Sequence, residues 1–285
     1  EQFNIKTDGT IIVRHLNDVK AYDQSGAFVT RLIFLGPQYI LVDVNQNVVI
    51  GGNGFMTNNS IATPFMVRLD NSFAIDNAFS CKPTYTEGIK AITSQLDGKL
   101  IIGGDYSVRS IQSTGKKLVR LNQDGTLDSS FDPDLSSVMS GGGFNIQIHS
   151  LAVQNDNRIL VASTKMIRLK PSGELDPTFI SSEITSGVYL TQVKLKDNSI
   201  FLSGAFDAIN SYYSPGIVKL KPNGAIDPAF VTVLPPSSFV TDFAFQSTGK
   251  IVLSGTFPFP SGMMYVIRLN EDGSISYHEL PEKLR

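Results

Sequence analysis

A single cysteine, Cys81, rules out an intramolecular disulfide and any cysteine-built metal cluster. Tryptophan is absent, and histidine occurs only at His15, His149 and His278. Charged residues make up 18% of the chain, and 24 Lys plus Arg against 26 Asp plus Glu leave a net charge of −2. That balance offers neither a basic footprint for nucleic acid nor an acidic tail. No apolar run reaches the roughly 18 residues of a spanning helix, and no charged-then-apolar leader follows Glu1. The expectation is a trimmed chain with neither a membrane span nor a signal peptide. H-x-H, H-E-x-x-H and G-x-S-x-G strings are also missing, so no metal, cofactor or catalytic residue is assigned.

What the chain has in quantity is turn chemistry, with 24 glycines and many Ser, Thr and Asn residues. It also repeats itself. A tight turn followed by an apolar run recurs at TDGTIIV (7–13), NQNVVIGG (45–52), LDGKLIIGG (96–104), NDNRILVAS (155–163), KDNSIFLSG (196–204) and STGKIVLSG (247–255). The third residue is Gly9, Asn47, Gly98, Asn157, Asn198 or Gly249, types that tolerate positive φ in a hairpin turn. A second unit, an apolar run, a turn and a short tail, recurs at RLDNSFAIDNAF (68–79), RLNQDGTLDSSF (120–131), RLKPSGELDPTF (168–179), KLKPNGAIDPAF (219–230) and RLNEDGSISYHE (268–279). Aligning Gly26, Phe73, Gly125, Gly173, Gly224 and Gly273 gives steps of 47, 52, 48, 51 and 49 residues.

Two hairpins in each period of about 50 residues predict four strands per repeat, and no segment carries a capped 3.6-residue stripe. Sheets of this kind bury both faces by stacking around an axis. The expected fold is therefore all-β, a single six-bladed β-propeller domain of four-stranded antiparallel blades over residues 1–285. The blades fall at about 1–33, 34–80, 81–132, 133–180, 181–231 and 232–285.

WD and kelch repeats of similar length depend on tryptophan, which this chain lacks. With LDGKLIIGG and RLNQDGTLDSSF in the third repeat, and the second motif kept in the fourth and fifth, the chain resembles the bacterial delta-60 repeat β-propeller family, a domain of unknown function. The resemblance implies no reaction and no catalytic residues. It implies an extracytoplasmic address, periplasmic or cell-surface, for a secreted repeat protein.

In a four-stranded meander the first and third connections leave one end of the blade, and the second connection and inter-blade link leave the other. The first and third are short, constant Gly/Asn turns. Second connections vary (53–64, 105–116, 205–215 and 256–263), as do the links (80–88, 132–145, 180–187 and 231–238), so binding is expected on this long-loop face. Candidate ligand-binding residues there are Asn53, Phe55, Tyr85, Asp105, Tyr106, Arg109, Phe144, Tyr189, Asp207, Asn210, Tyr212, Tyr213 and Phe259. Aromatic rings beside amides and charges suit a polysaccharide or a protein partner. Phe206 and Phe257 are expected in the core instead. The function expected is a non-catalytic binding or scaffold module, a monomer without nucleic-acid partners. The alternative is a propeller lyase or hydrolase using Asp43, His149, Lys194 and Asp242 over a central channel.

The tails favour a scaffold reading. Asp76, Asp128, Asp176 and Asp227 each precede a Phe by three residues, and the pattern predicts a turn-forming Asp with Phe79, Phe131, Phe179 or Phe230 wedged between blades. Asp124 and Asp272 read as hairpin-turn residues rather than calcium ligands, because the distal Glu is missing. Cys81 reads as an inert thiol.

Overall fold

A computed structural model describes residues 2–16, 18–33, 37–52, 55–56, 62–63, 66–81, 84–85, 89–104, 108–109, 117–135 and 147–276. These form strands and turns, with no helix among them. The chain divides into two compact units, Glu1–Pro133 and Asp134–Arg285, holding three sequence repeats each.

In the first unit, β1 (Gln2–Ile5), β2 (Ile11–Arg14), β3 (Asp18–Tyr22) and β4 (Phe28–Ile33) make a four-stranded antiparallel meander. The second repeat supplies β5 (Pro37–Val42), β6 (Val48–Gly52), β7 (Phe55–Met56), β8 (Ala62–Thr63) and β9 (Met66–Leu69), and the third β10 (Thr84–Tyr85), β11 (Ile89–Ser94), β12 (Leu100–Gly104), β13 (Val108–Arg109) and β14 (Leu118–Leu121). Their main sheets run β5-β6-β9 and β11-β12-β14.

The second unit opens with β15 (Ser150–Val153), β16 (Ile159–Ala162) and β17 (Lys165–Leu169). Next come β18 (Ser182–Lys196), β19 (Ser199–Ile209), β20 (Tyr212–Tyr213) and β21 (Ile217–Leu220), then β22 (Phe239–Phe245), β23 (Ile251–Phe259) and β24 (Gly262–Leu269). Strand β18 serves two repeats. Its start pairs with β17 through Lys165–Glu183 and Met166–Ser182, and the rest is the first strand of the next repeat against β19.

The turns explain the spacing of the repeats. In the third repeat the Gly125 amide donates to Asn122 O at 2.9 Å and the Asn122 amide to Thr126 O at 2.8 Å, a type I turn closed by a left-handed residue. All six aligned positions are left-handed, including Phe73 at φ 64°. Among the first turns, Gly9, Gly98, Asn157, Asn198 and Gly249 are left-handed as expected, but in the second repeat the residue is Gln46 (φ 66°) rather than Asn47. This turn opens at Asp43, whose carbonyl accepts the Gln46 amide at 2.9 Å, so the left-handed place falls three residues on, at Gln46, as Gly9 falls three after Lys6. The Asp43 carboxylate accepts the amides of Asn45 and Asn47 at 2.8 and 2.9 Å and the Asn47 side-chain amide at 3.1 Å.

The full fourth strand expected in every repeat is found as a continuous strand in the first, as β4. In the other five the outer position is an isolated bridge, Leu69–Ile75, Leu121–Leu127, Leu169–Leu175, Leu220–Ile226 or Leu269–Ile275. In the second to fifth repeats a tail aspartate follows that bridge, and in the sixth Ser276 takes its place. The Asp128 amide bonds Arg120 O, and its carboxylate takes the Ser130 amide at 3.0 Å and Arg120 Nε at 2.8 Å, which bends the chain and drives Phe131 inward. Phe79, Phe131, Phe179 and Phe230 are all buried. Phe79 joins a core cluster with Val49 and Met66 of its own repeat and Ile89, Leu100 and Leu121 of the next. Phe179 and Phe230 play the same part in the second unit.

Past the phenylalanine, each tail docks on the next turn within its unit. The amides of Ser80, Ile180 and Val231 donate to Asp124 O, Asn223 O and Asp272 O at 2.8, 2.9 and 2.8 Å. Close approach makes glycine necessary in those turns. A Cβ on Gly125 would meet Ser80 C at 2.9 Å, one on Gly224 the Ile180 carbonyl, and one on Gly273 Val231 C at 2.8 Å. Phe73 stands in the turn after β9, and the repeat before it ends in β4, with no Asp-x-x-Phe tail to dock there.

Candidate functional site

At the long-connection end, the structure replaces expected loops with hairpins that prolong the central strands. Phe55 pairs with Thr63, and Phe257–Phe259 with Gly262–Met264. In the fifth repeat Ala208–Ile209 pairs with Tyr212–Tyr213 across Asn210 and Ser211, whose φ values of 49° and 63° define a type I′ turn. That turn is clamped from the side. The Asn210 carboxamide accepts the Glu183 amide at 2.8 Å and donates to Ser181 O at 3.1 Å. Below it, Asp207 Oδ1 accepts the Ser237 amide at 2.7 Å, fastening the following inter-repeat link. Asn210 and Asp207 therefore hold the hairpin.

The aromatic candidates divide. Tyr212 packs on the cluster around Phe206, and Phe259 on the cluster around Phe257; Phe206 and Phe257 are themselves buried, as expected. Tyr213 is 58% exposed, and Met263 and Tyr265 on β24 are 51% and 65% exposed. Tyr189 is half-buried in a row that crosses three repeats. His149 stacks on it at 5.6 Å between ring centroids, and Phe239 meets it edge-on at 5.9 Å. Each of the three rings stands at the long-connection end of its repeat's first strand. Sequence reasoning passed over Phe239, Val188 (68% exposed) and Met263. The signal for Phe239 was available, because an aromatic ring precedes the same strand in three successive repeats. Backbones of Phe55, Tyr85 and Arg109 form β7, β10 and β13, while their side chains lie outside the described residues, as do Asn53, Asp105, Tyr106 and Phe144 entirely.

The residues considered for catalysis are engaged elsewhere. Asp43 is consumed by its own turn, and Lys194 Nζ donates to Asp242 Oδ1 at 2.6 Å. Among the described residues no group of three or more His, Cys, Asp or Glu side chains comes within reach of one ion. Asp124 and Asp272 accept the amides and hydroxyls of Thr126 and Ser274, as turn residues do. Cys81 is buried in the core.

The short-turn end of the second unit carries two cavities. One, about 170 Å³, is lined by Lys196, Asp197, Ser199, Phe201, Lys219, Gly249, Ile251 and Glu271. The other, about 310 Å³, lies between Gln154, Asn155, Leu195, Asp197 and Asn198. Tail carboxylates dominate the electrostatics of this end. Burial pushes the Asp128 carboxyl up, but bonds from Lys99, Ser130 and Arg120 outweigh it and hold the group well below the usual carboxylate range. Asp76 and Asp176 are lowered against burial in the same way, by Arg68 and by Thr178 with Arg168. Lys219 does most to lower Asp227.

Comparison with known proteins agrees with this architecture. The chain is similar in fold to a streptogramin B lyase structure (TM-score 0.61, 14% identity, 98% of this chain and 82% of that one). It is also similar to the WD40 domain of Neurospora crassa Pan2 (TM-score 0.56, 10% identity, 95% and 83% covered). A catalytically inactive virginiamycin B lyase from Staphylococcus aureus, solved with quinupristin, gives a TM-score of 0.52 at 13% identity, with 96% and 82% covered. At these identities the likeness shows the fold alone. No curated protein matches the chain. Residues 95–131, 154–179, 195–230 and 246–275 match a β-propeller family described as a domain of unknown function, DUF5122. The four stretches fall one to each of the third to sixth repeats of the all-β chain.

Proposed function

We propose that the six sequence repeats form six blades of a non-catalytic, extracytoplasmic binding or scaffold module that meets a polysaccharide or protein partner at its long-connection end. The observation that carries this reading is the β19–β20 hairpin. Its turn is clamped to Glu183 and Ser181, yet it holds Tyr213 out at 58% exposure, where the ring adds nothing to the core. A rigid, exposed aromatic ring loses little entropy on binding, which is what a recognition surface needs. Met263, Tyr265 and Val188 add exposed apolar area in the same unit. The rival reading, a propeller lyase or hydrolase, draws support from the lyase folds above, but the Lys194–Asp242 pair satisfies two of the groups it would use. A thermal-shift panel of polysaccharides and candidate cell-surface proteins tests the proposal. A ligand should raise the unfolding midpoint of the unsubstituted chain and lose that effect in Tyr213→Ala. A response indifferent to that substitution would count against it.

A further inference from the structure

The 170 Å³ cavity sits where the fifth repeat departs from its neighbours. In the third repeat, Lys99 Nζ and Arg120 Nε both hold Asp128 at 2.8 Å, beside Gln95. In the fourth, Arg158 Nε and Arg168 Nε hold Asp176 at 3.2 and 2.9 Å, beside Gln154. Arg168 also crosses to Pro222 O of the next repeat at 2.7 Å and lies over the Phe179 ring. In the fifth repeat Ser199 stands for Lys99 and Arg158, Lys219 for the arginine, and Lys196 for the glutamine. Two long side chains are thereby shortened, and one cation moves to the first strand. Only Lys219 reaches the tail carboxylate, at 3.0 Å from Asp227. The cavity opens beside Ser199, where the third and fourth repeats carry Lys99 and Arg158.

What borders that volume decides its ligand. Phe201 and Ile251, 4% and 1% exposed, close the bottom of the cavity. Lys196 and Lys219 line it; Lys219 is held by Asp227, whereas the Lys196 counter-ion is Glu271, at 3.1 Å and with a side chain 70% exposed, a screened pair that another anion can replace. Asp197, the Ser199 hydroxyl and the Gly249 carbonyl complete a rim that can bond hydroxyls. We infer that this cavity, at the opposite end of the repeats from the surface proposed above, binds a sugar acid: a hexuronate whose carboxylate meets Lys196 and whose hydroxyls meet Asp197, Ser199 and the Gly249 carbonyl. The site uses compact, strongly hydrated lysines instead of arginine forks, which suits a ligand that itself supplies the second hydrogen-bonding partner.

Calorimetric titration of the full chain with glucuronate, and with glucose as its uncharged twin, tests the inference. Glucuronate should bind and glucose should not, with affinity falling as salt is raised. Lys196→Gln, the side chain of the third and fourth repeats, should weaken glucuronate at least tenfold. Ser199→Arg should abolish binding by refilling the space, without lowering the unfolding midpoint. Tyr213→Ala, at the other end, should leave the titration unchanged, so the two surfaces succeed or fail separately. The assignment is overturned by absence of glucuronate binding to the unsubstituted chain, by equal binding of glucose, or by affinity that survives Lys196→Gln.

Discussion

Lys219 shows how much one side chain decides. In the second, third and fourth repeats an arginine at this position bonds the tail carboxylate through Nε and lies 4.8, 4.7 and 4.6 Å over the tail phenylalanine. Lysine has no planar fork with which to do both. In its repeat Phe201 takes up part of the space, edge-on to Phe230 at 5.7 Å, and the Lys219 ammonium lies 5.9 Å from the Phe201 ring. Lys219→Arg is therefore expected to raise stability by roughly 1 kcal/mol, through a second charged bond and better stacking, as measured by urea unfolding. No gain would mean that Phe201 already blocks the arginine rotamer. Asn210 matters for a different reason, since with the Ser211 amide, which donates to Thr185 Oγ1 at 3.0 Å, it ties the hairpin tip to β18. Asn210→Ala should cost about 1–2 kcal/mol, with faster amide exchange confined to residues 206–213.

At the scale of the element, the turns separate two demands on glycine. Gly26 and Gly224 are both left-handed, at φ 85° and 90°. A Cβ on Gly26 would meet nothing within 4 Å, whereas on Gly224 it would collide with the Ile180 carbonyl and the Phe179 ring. Gly26→Ala should cost about 1 kcal/mol from backbone conformation alone, and Gly224→Ala at least twice that; equal losses in thermal unfolding would refute the docking role of the tail. These turns were the most legible part of the sequence, because a left-handed residue between apolar runs has few alternatives. Asn47 misled because asparagine is the commoner left-handed residue, while the turn opens at Asp43, one residue earlier than the motif suggests, and puts Gln46 in the left-handed place. The missing fourth strands were illegible for a related reason. Ile75 and Leu127 look like strand residues, yet Asp76 and Asp128 turn the backbone just after them, capturing the amides of Ala78 and Ser130, and the pairing stops after one residue. Of the candidate site, the exposed Tyr213 could be read from its place between runs. The occupied faces of Tyr189 and the vacancy beside Ser199 depend on neighbours distant in sequence.

Over the whole molecule, the tail carboxylates tie stability to pH. Asp76, Asp128, Asp176 and Asp227 are all lowered in the folded chain. A lowered folded pKa stabilises fully above the unfolded value, about 3.9, and that contribution is lost as pH falls through the folded one. Urea midpoints should be level from neutral pH to about pH 5 and fall steeply below about pH 4. Asp128→Asn should be less stable at neutral pH and show a shallower acid limb; a limb as steep as in the unsubstituted chain would place the acid sensitivity elsewhere. The docking of each tail has a consequence of another kind. The fifth repeat carries both an amide plug, at Val231, and in its own third turn a carbonyl socket, at Asn223, while the second and fourth repeats carry the plug and the third and sixth the socket. Plug and socket are backbone atoms, so they fit whatever the neighbouring side chains are. Such a joint makes repeats interchangeable. A segment of about 50 residues could be duplicated or lost in evolution without a new interface having to be invented, leaving the side chains of each copy free to drift, as Ser199 and Lys219 have, toward a task of their own.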